Sequence, residues 1–420
     1  MRIALAAFGS RGDFQPMAAL AVALAARGHD VRLIGFAEYA PFVAGRGVDF
    51  RAVSGDHQAI FLGDAGRRMF ASGRRPVALI RAVTEITRTW LPRWAPELRD
   101  HVAGVDLLIG EFTSFALMAS LAELWELPSL RVLLQPVHRS ALLPSPMLGG
   151  LKAGLPRRLN RLSHDIADQI LWQPSRRLMN RIRTEIYGLP PWPLLGPVGV
   201  FRRARMPTLM AYSAAVVPRP ADWGREVQVT GFWFLDRPID WQPPDDLVRF
   251  LDAGAAPVYL GFGSMGLTDP AATAALLVAA IRSVGCRAVI AAGWGGLAAA
   301  DLPPNIHAID AIPHDWLFPR MAAIVHHGGA GTTAAALRAG VPSVVVPFMA
   351  DQPYWAGRLQ GLGVAPPPIA HLRLTAPALA AALRVALGDP AMRARAKALG
   401  DRIGAEDGLG AAVARIEALA

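Results

Sequence analysis

An apolar run at residues 3–8 gives way to a small-residue turn at 9–13, then to helical spacing over 16–27, a stop at Gly28 and a second apolar run at 31–34. That succession predicts a βαβ opening. Residues 57–101 carry helical spacing with arginines on the polar side, and apolar runs at 105–109 and 130–134 read as buried strands. Between about 136 and 200 the alternation lapses into a segment rich in Pro, Arg and Trp, the kind of irregular stretch that builds binding walls beside a regular scaffold. The alternation then restarts with a strand at 258–260, a helix at 270–284 and strands at 288–291, 306–309, 323–325 and 344–347. The expected fold class is α/β, with two doubly wound Rossmann-like domains. Their expected bounds are 1–235 and 247–420, joined by a linker at 236–246 that holds Trp241, Pro243 and Pro244. A final helix at 408–419 is expected to pack on one domain or the other.

With 420 residues, 53 % hydrophobic and 18 % charged, the chain has apolar material for two cores. Its formal charge is +10, yet lysine occurs only at 152 and 397 and the arginines are scattered. No basic block of the kind that tracks a nucleic-acid backbone is present, so no nucleic-acid partner is expected. The densest basic stretches, 67–75, 152–161 and 202–205, suit contact with an anionic membrane. The single cysteine, Cys286, excludes a disulfide framework and a cysteine metal site, and its apolar surroundings read as core. No leader pattern opens the chain and no uncharged run reaches the roughly 18 residues of a spanning helix. A cytoplasmic protein, soluble or peripheral at a membrane, is the expectation.

The chemistry concentrates where strands end. Residues 326–333 read His-His-Gly-Gly-Ala-Gly-Thr-Thr between an apolar strand and a helix. Backbone N–H groups freed by small residues, the positive end of the helix dipole, the imidazoles and the hydroxyls of Thr332 and Thr333 together suit a phosphate. The alternative is a plain glycine turn with buried histidines. A second strand end delivers Asp351-Gln352 to the same crevice; a carboxylate beside a carboxamide suits sugar hydroxyls, and a helix cap is the plainer reading. Gly261-Phe262-Gly263-Ser264-Met265-Gly266 formally fits a dinucleotide fingerprint, but no acid follows on the next strand for a ribose. Ser264 reads instead as a hydroxyl turned toward a phosphate, or as a loop cap. The turn Gly9-Ser10-Arg11-Gly12-Asp13 lacks the Lys-Ser/Thr of a P-loop. It places Asp13 at the mouth of the first strand, either as a functional acid or as the cap of a helix beginning near Phe14.

Several stretches resemble the nucleotide-sugar glycosyltransferases of the GT-B fold, and among them the bacterial natural-product and sterol glycosyltransferases. They are the run from Gly9 to Pro16, Tyr212-Ser213 through Trp223, Val229-Thr230-Gly231-Phe232-Trp233-Phe234, Gly261 to Ser264, and His326 through Gln352. The resemblance implies two domains facing each other across a cleft, closing about the 236–246 linker, with acceptor on the N-terminal one and nucleotide diphosphate on the C-terminal one. It implies diphosphate contacts from His326, His327, Gly329, Gly331, Thr332 and Thr333, and sugar contacts from Asp351 and Gln352. Ser10, Arg11, Gly12, Ser264 and Ile312 join the implied donor-binding set. Two departures from the plant-type signature stand out: Ala311 replaces a base-stacking aromatic before Ile312, and Ala335 replaces a ribose-binding Glu. They leave UDP and dTDP donors open.

On that resemblance Asp13 is the general base of an inverting transfer from a UDP- or dTDP-hexose, with UDP-glucose the leading donor. The nucleotide sugar is a co-substrate, no resident cofactor is expected, and no metal is expected because no Asp-x-Asp pair occurs. The acceptor is expected to be a lipophilic alcohol, a sterol or polyketide, against a wall holding Phe61, Met69, Phe70, Trp90, Trp94, Met147, Trp172 and Trp192. His138 is a candidate for that pocket. The rival readings are a nucleotide-sugar or lipid-binding protein without transfer activity, and a nucleotide-sugar epimerase.

Overall fold

Strands that are apolar at nearly every position must be covered on both faces, which favours parallel sheets sandwiched by helices. β1 (Arg2–Ala6) and β4 (Leu107–Glu111) are of this kind. The computed structural model describes residues 1–57, 60, 63, 76–149, 154–263, 269–291 and 302–419. It divides the chain into two compact units, Met1–Leu235 with Glu406–Ala420, and Asp236–Ala405.

The first unit runs β1, α1 (Arg11–Ala26), β2 (Asp30–Phe36), β3 (Asp49–Val53), α2 (Pro76–His101), β4, α3 (Phe115–Leu124), β5 (Ser129–Leu133), α4 (Arg157–Arg181), α5 (Val198–Arg203), β6 (Thr208–Met210) and β7 (Val227–Val229). Among the described residues its sheet has the parallel order β3-β2-β1-β4-β5-β6-β7. The chain leaves β1 toward one edge and returns to β4 on the other side. This reversal opens a crevice at the carboxyl ends of β1 and β4, where ligands bind in such folds.

The second unit runs α6 (Asp245–Asp252), β8 (Val258–Gly261), α7 (Pro270–Val284), β9 (Ala288–Ala291), β10 (Ile306–Ile309), α8 (His314–Leu317), β11 (Ala323–His326), α9 (Ala330–Arg338), β12 (Ser343–Val345), α10 (Gln352–Gly361), α11 (Ala376–Gly388) and α12 (Pro390–Gly404). Its parallel sheet is ordered β10-β9-β8-β11-β12. Here the reversal falls between β8 and β11, which pair Gly261 with His326.

The last helix, α13 (Gly408–Glu417), belongs to the first unit. Glu417 pairs with Arg27 at 3.2 Å, Ser213 donates to Glu406 at 2.6 Å, and the Trp233 indole donates to the Gly408 carbonyl at 3.1 Å. A Cβ on Gly408 would stand 2.5 Å from the Phe232 carbonyl. The Gly231-Phe232-Trp233 stretch therefore serves to seat the returning chain.

Three expectations are corrected. Helix α1 begins at Arg11, not near residue 14 or 16, because Ser10 is its N-cap and Asp13 occupies the third helical position. Residues 136–200 are not irregular throughout: they contain the 25-residue α4, whose inward face is polar and so hid its period. Cys286 is only half-buried. The short strands β3, β6 and β7 were not legible from apolar runs.

Candidate active site

In the second unit the site is built on the β11-to-α9 connection. Gly328 adopts φ +88°, which favours glycine, and a Cβ there would meet Val345 at 2.9 Å. Its N–H donates to His326 Nδ1 at 3.1 Å, so the His326 proton sits on Nε2. Gly329 is the N-cap of α9. It brings no side chain to the first turn, whose leading N–H groups have no intrahelical acceptor. The His327 ring lies between two glycines: Cβ atoms would stand 3.1 Å from it at Gly263 and 2.4 Å from its Nε2 at Gly329.

Burial lowers both imidazoles. His326, fully buried, falls to about 3, helped by its neighbours His327 and His314, and His327 falls to about 4. Both are neutral near pH 7. His326 Nε2, His327 Nδ1 and Thr333 Oγ1 are buried without a hydrogen-bond partner among the described residues. Buried polar atoms left so are costly and mark where a polar ligand fits. Gly331 and Thr332 stand in the same first turn of α9.

Asp351 and Gln352 follow β12 and are both buried. Asp351 Oδ2 accepts from the Trp355 indole at 2.8 Å, and Gln352 Oε1 accepts from the N–H groups of Phe348 and Met349 at 2.8 and 3.1 Å. Asp351 is the N-cap of α10 but makes no side-chain cap bond. The preceding Ala350 has φ +53°, a strained conformation for a residue with a Cβ. The Ile312 side chain packs in the core with Tyr259 and Leu317, which leaves its main chain as the part able to meet a ligand. Ser264 lies outside the described residues.

In the first unit the crevice between β1 and β4 gathers two carboxyl groups. Ser10 donates to Asp13 Oδ2 from both its N–H and its hydroxyl, each at 2.8 Å. A Cβ on Gly9 would collide with that carboxylate at 2.3 Å. Burial raises the Asp13 pKa, opposed by the two Ser10 bonds. Arg11 reaches Gln15 at 3.2 Å and lies over the Phe42 ring, and Gly12 is half-buried in the first turn.

Glu111 was missed from the sequence. It ends β4, is 1 % exposed, and accepts from the Thr113 hydroxyl at 2.6 Å and the Thr113 N–H at 2.9 Å. Burial, and next the charge of Asp13, push it up to about 8. The two groups titrate as a pair. An acid closing an apolar strand beside the sheet's reversal point was the available signal.

His138 is held elsewhere in this unit. Its Nδ1 accepts from Arg131 at 2.9 Å and its ring meets Trp223 edge-on at 5.5 Å. Burial and the Arg131 charge lower it to about 3. Of the expected acceptor wall, Trp94, Trp172 and Trp192 are buried core residues, Trp90 and Met147 are half-buried, and Phe61, Met69 and Phe70 lie outside the described residues.

The fold is that of the GT-B glycosyltransferases. A glycosyltransferase of kitacinnamycin superposes with TM-score 0.70 at 23 % identity over 99 % of this chain and 98 % of that one. The calicheamicin glycosyltransferase CalG4 gives 0.69 at 20 % over 100 % and 98 %. VinC in complex with dTDP gives 0.64 at 22 % over 99 % and 98 %. Residues 3–102 match the glycosyltransferase family 28 N-terminal domain, and residues 276–419 match the erythromycin biosynthesis protein CIII-like C-terminal domain. A sterol 3-beta-glucosyltransferase of Arabidopsis thaliana is 34 % identical over 98 % of this chain and 64 % of its own length. One of Neosartorya fischeri is 33 % identical over 99 % of this chain and 29 % of its own. The chain thus spans less than two thirds of these relatives. Nearly the whole chain is similar to sterol 3-beta-glucosyltransferases, and its fold is shared with natural-product glycosyltransferases.

Proposed function

We propose that the protein transfers a hexose from a UDP- or dTDP-sugar, UDP-glucose first among them, to a hydroxyl of a lipophilic acceptor such as a sterol or polyketide, with inversion. The observation that carries the donor half is the set of buried, unpartnered donors at the β11-to-α9 connection, His327 above all. Neutral N–H donors and a helix N-terminus offset the charge developing on the departing diphosphate, a task often given to a metal. Ser10, Arg11 and Gly12 are further proposed donor contacts, and Asp351 and Gln352 meet the sugar.

Asp13 takes the proton from the acceptor hydroxyl as its oxygen attacks the anomeric carbon and the bond to the diphosphate breaks. Its raised pKa makes it a stronger base than an ordinary carboxylate. One displacement inverts the anomeric centre. The names of the sterol glucosyltransferase relatives support glucose and a sterol-like acceptor; the dTDP in VinC supports keeping the second nucleotide open. His138, pinned by Arg131, is the proposed polar contact for the acceptor.

Thermal-shift titration with UDP, dTDP, UDP-glucose and NAD ranks donors, because a ligand that binds only the native state raises its melting temperature. Nucleotide diphosphate release is then followed with sterols, macrolides and phenolics, with and without EDTA. Acceptor-dependent release, unaffected by EDTA and giving inverted product, is expected. Binding without release across the panel would make this a binding protein, and acceptor-independent conversion of the sugar nucleotide an epimerase.

A further inference from the structure

Helix α4 has its polar face inward and an apolar face outward. Inward, Asn160 donates to the Ala141 carbonyl at 2.9 Å, Ser163 Oγ accepts from the Ser145 N–H at 2.8 Å, and His164 Nε2 lies 3.0 Å from the Leu143 carbonyl. These bonds tie the helix to the preceding loop and fix its rotation. Outward, Leu159, Leu162, Ile166 and Ile170 recur at intervals of three or four residues, which places them on one stripe.

The loop beside the stripe extends it. The Leu194 carbonyl accepts from Trp172 at 3.0 Å and Gln173 at 2.9 Å, and the Leu195 carbonyl accepts from Gln169 at 2.9 Å. Leu194 and Leu195 are thereby held against the same side of α4. These six aliphatic side chains are between 36 % and 71 % exposed. A surface helix normally turns such a stripe to the core. Single exposed leucines are ordinary, whereas a contiguous aliphatic patch marks an interaction surface.

Charge indicates what the surface meets. Arg157, Arg158 and Arg161 are exposed on the first turns of α4 and form no ion pair among the described residues. The helix carries six arginines against two aspartates, and one of those, Asp165, is already held by Arg139 at 2.7 Å. Aliphatic side chains bordered by exposed guanidinium groups are the composition of a helix that lies in a lipid interface, its apolar face among acyl chains and its cations at anionic headgroups. No helix among the described residues is long and apolar enough to cross a membrane, so the contact is with one surface.

We propose that α4 and the Leu194-Leu195 loop dock the protein on an anionic lipid bilayer. This inference does not depend on the reaction the protein catalyses. The test is flotation of the full chain with phosphatidylcholine vesicles, with and without phosphatidylserine. The chain is expected to float with the phosphatidylserine vesicles, less so as salt rises. Leu162→Glu combined with Ile166→Glu should lower the partition coefficient by about tenfold or more with an unchanged melting temperature, both sites being already exposed. Arg158→Glu with Arg161→Glu should remove the preference for phosphatidylserine. Absence of binding to the anionic vesicles, or wild-type binding by the leucine–isoleucine variant, would overturn the proposal. So would a dimer in light scattering that the same variant converts to a monomer, which would give the face to a second copy of the chain.

Discussion

A Cβ atom at Gly329 would stand 2.4 Å from His327 Nε2, so the residue that opens α9 and the imidazole before it share space that no side chain can enter. Gly329 has φ −64°, a value open to any residue, so the constraint is the ring and not the backbone. Gly329→Ala should therefore displace His327 while α9 persists. Loss of UDP-induced thermal stabilisation, with the ligand-free melting temperature lowered by no more than a few degrees, is expected. Undiminished UDP stabilisation in this variant would show that the ring position is unimportant for donor binding.

His327→Ala removes one of the proposed donors to the diphosphate. A combined loss in donor KM and kcat of roughly 2–4 kcal/mol is expected in steady-state kinetics. Its pH dependence carries a sign. Burial holds the free imidazole at about 4, and a bound diphosphate favours its charged form, so binding takes up a proton. Relative to His327→Ala, the native chain should gain UDP affinity as pH falls from neutral toward about 5, with calorimetry in buffers of different ionisation heat reporting the uptake.

Asp13→Asn keeps an oxygen that can accept from Ser10. The lost cap interaction should cost about 1 kcal/mol or less, whereas loss of a general base should cut turnover by roughly 10²–10⁴. Rate and melting temperature measured side by side separate the two roles, and a variant that turns over normally would reduce Asp13 to a capping residue.

Glu111 stays protonated in the folded chain up to about 8, while in the unfolded chain it ionises from about 4.5. Between those values the unfolded state holds fewer protons, so this group weakens folding as pH rises through the window. Glu111→Gln cannot ionise, yet its carboxamide oxygen can still accept from Thr113. Its stability advantage should be near zero at about pH 3.5, about 1 kcal/mol at pH 5 and roughly 3 kcal/mol near pH 7, growing toward pH 8. Denaturation at several pH values checks this; a pH-independent difference would mean Glu111 does not titrate in that range.

Much of the second unit was legible because each element carries its own local signal. Helix α7 starts as read, with Asp269 accepting from the Ala272 N–H, Pro270 in the first turn and Gly285 left-handed at the stop. The β11-to-α9 connection is equally local, since the glycines and histidines are contiguous. What escaped depended on distant partners. The start of α1 is set by reciprocal bonding between Ser10 and Asp13, and apolar spacing alone placed it later. Glu111 gains its character from burial beside a strand more than a hundred residues earlier. The period of α4 was masked because its buried positions, Asn160, Ser163 and His164, are polar. Trp94, Trp172 and Trp192 look alike in sequence whether they line a pocket or fill a core, and only packing separates the two.

The seating of α13 beside Arg27 and Trp233 has a consequence for synthesis. The first unit includes residues 406–420, which leave the ribosome after the whole of the second unit, encoded by residue 405. Of these two units the one begun first is thus completed second, in contrast to the usual N-to-C order of domain folding. While the second unit is being made, the Gly231-Phe232-Trp233 seat waits for its helix, a vectorial vulnerability that ends only when residues 406–420 have emerged.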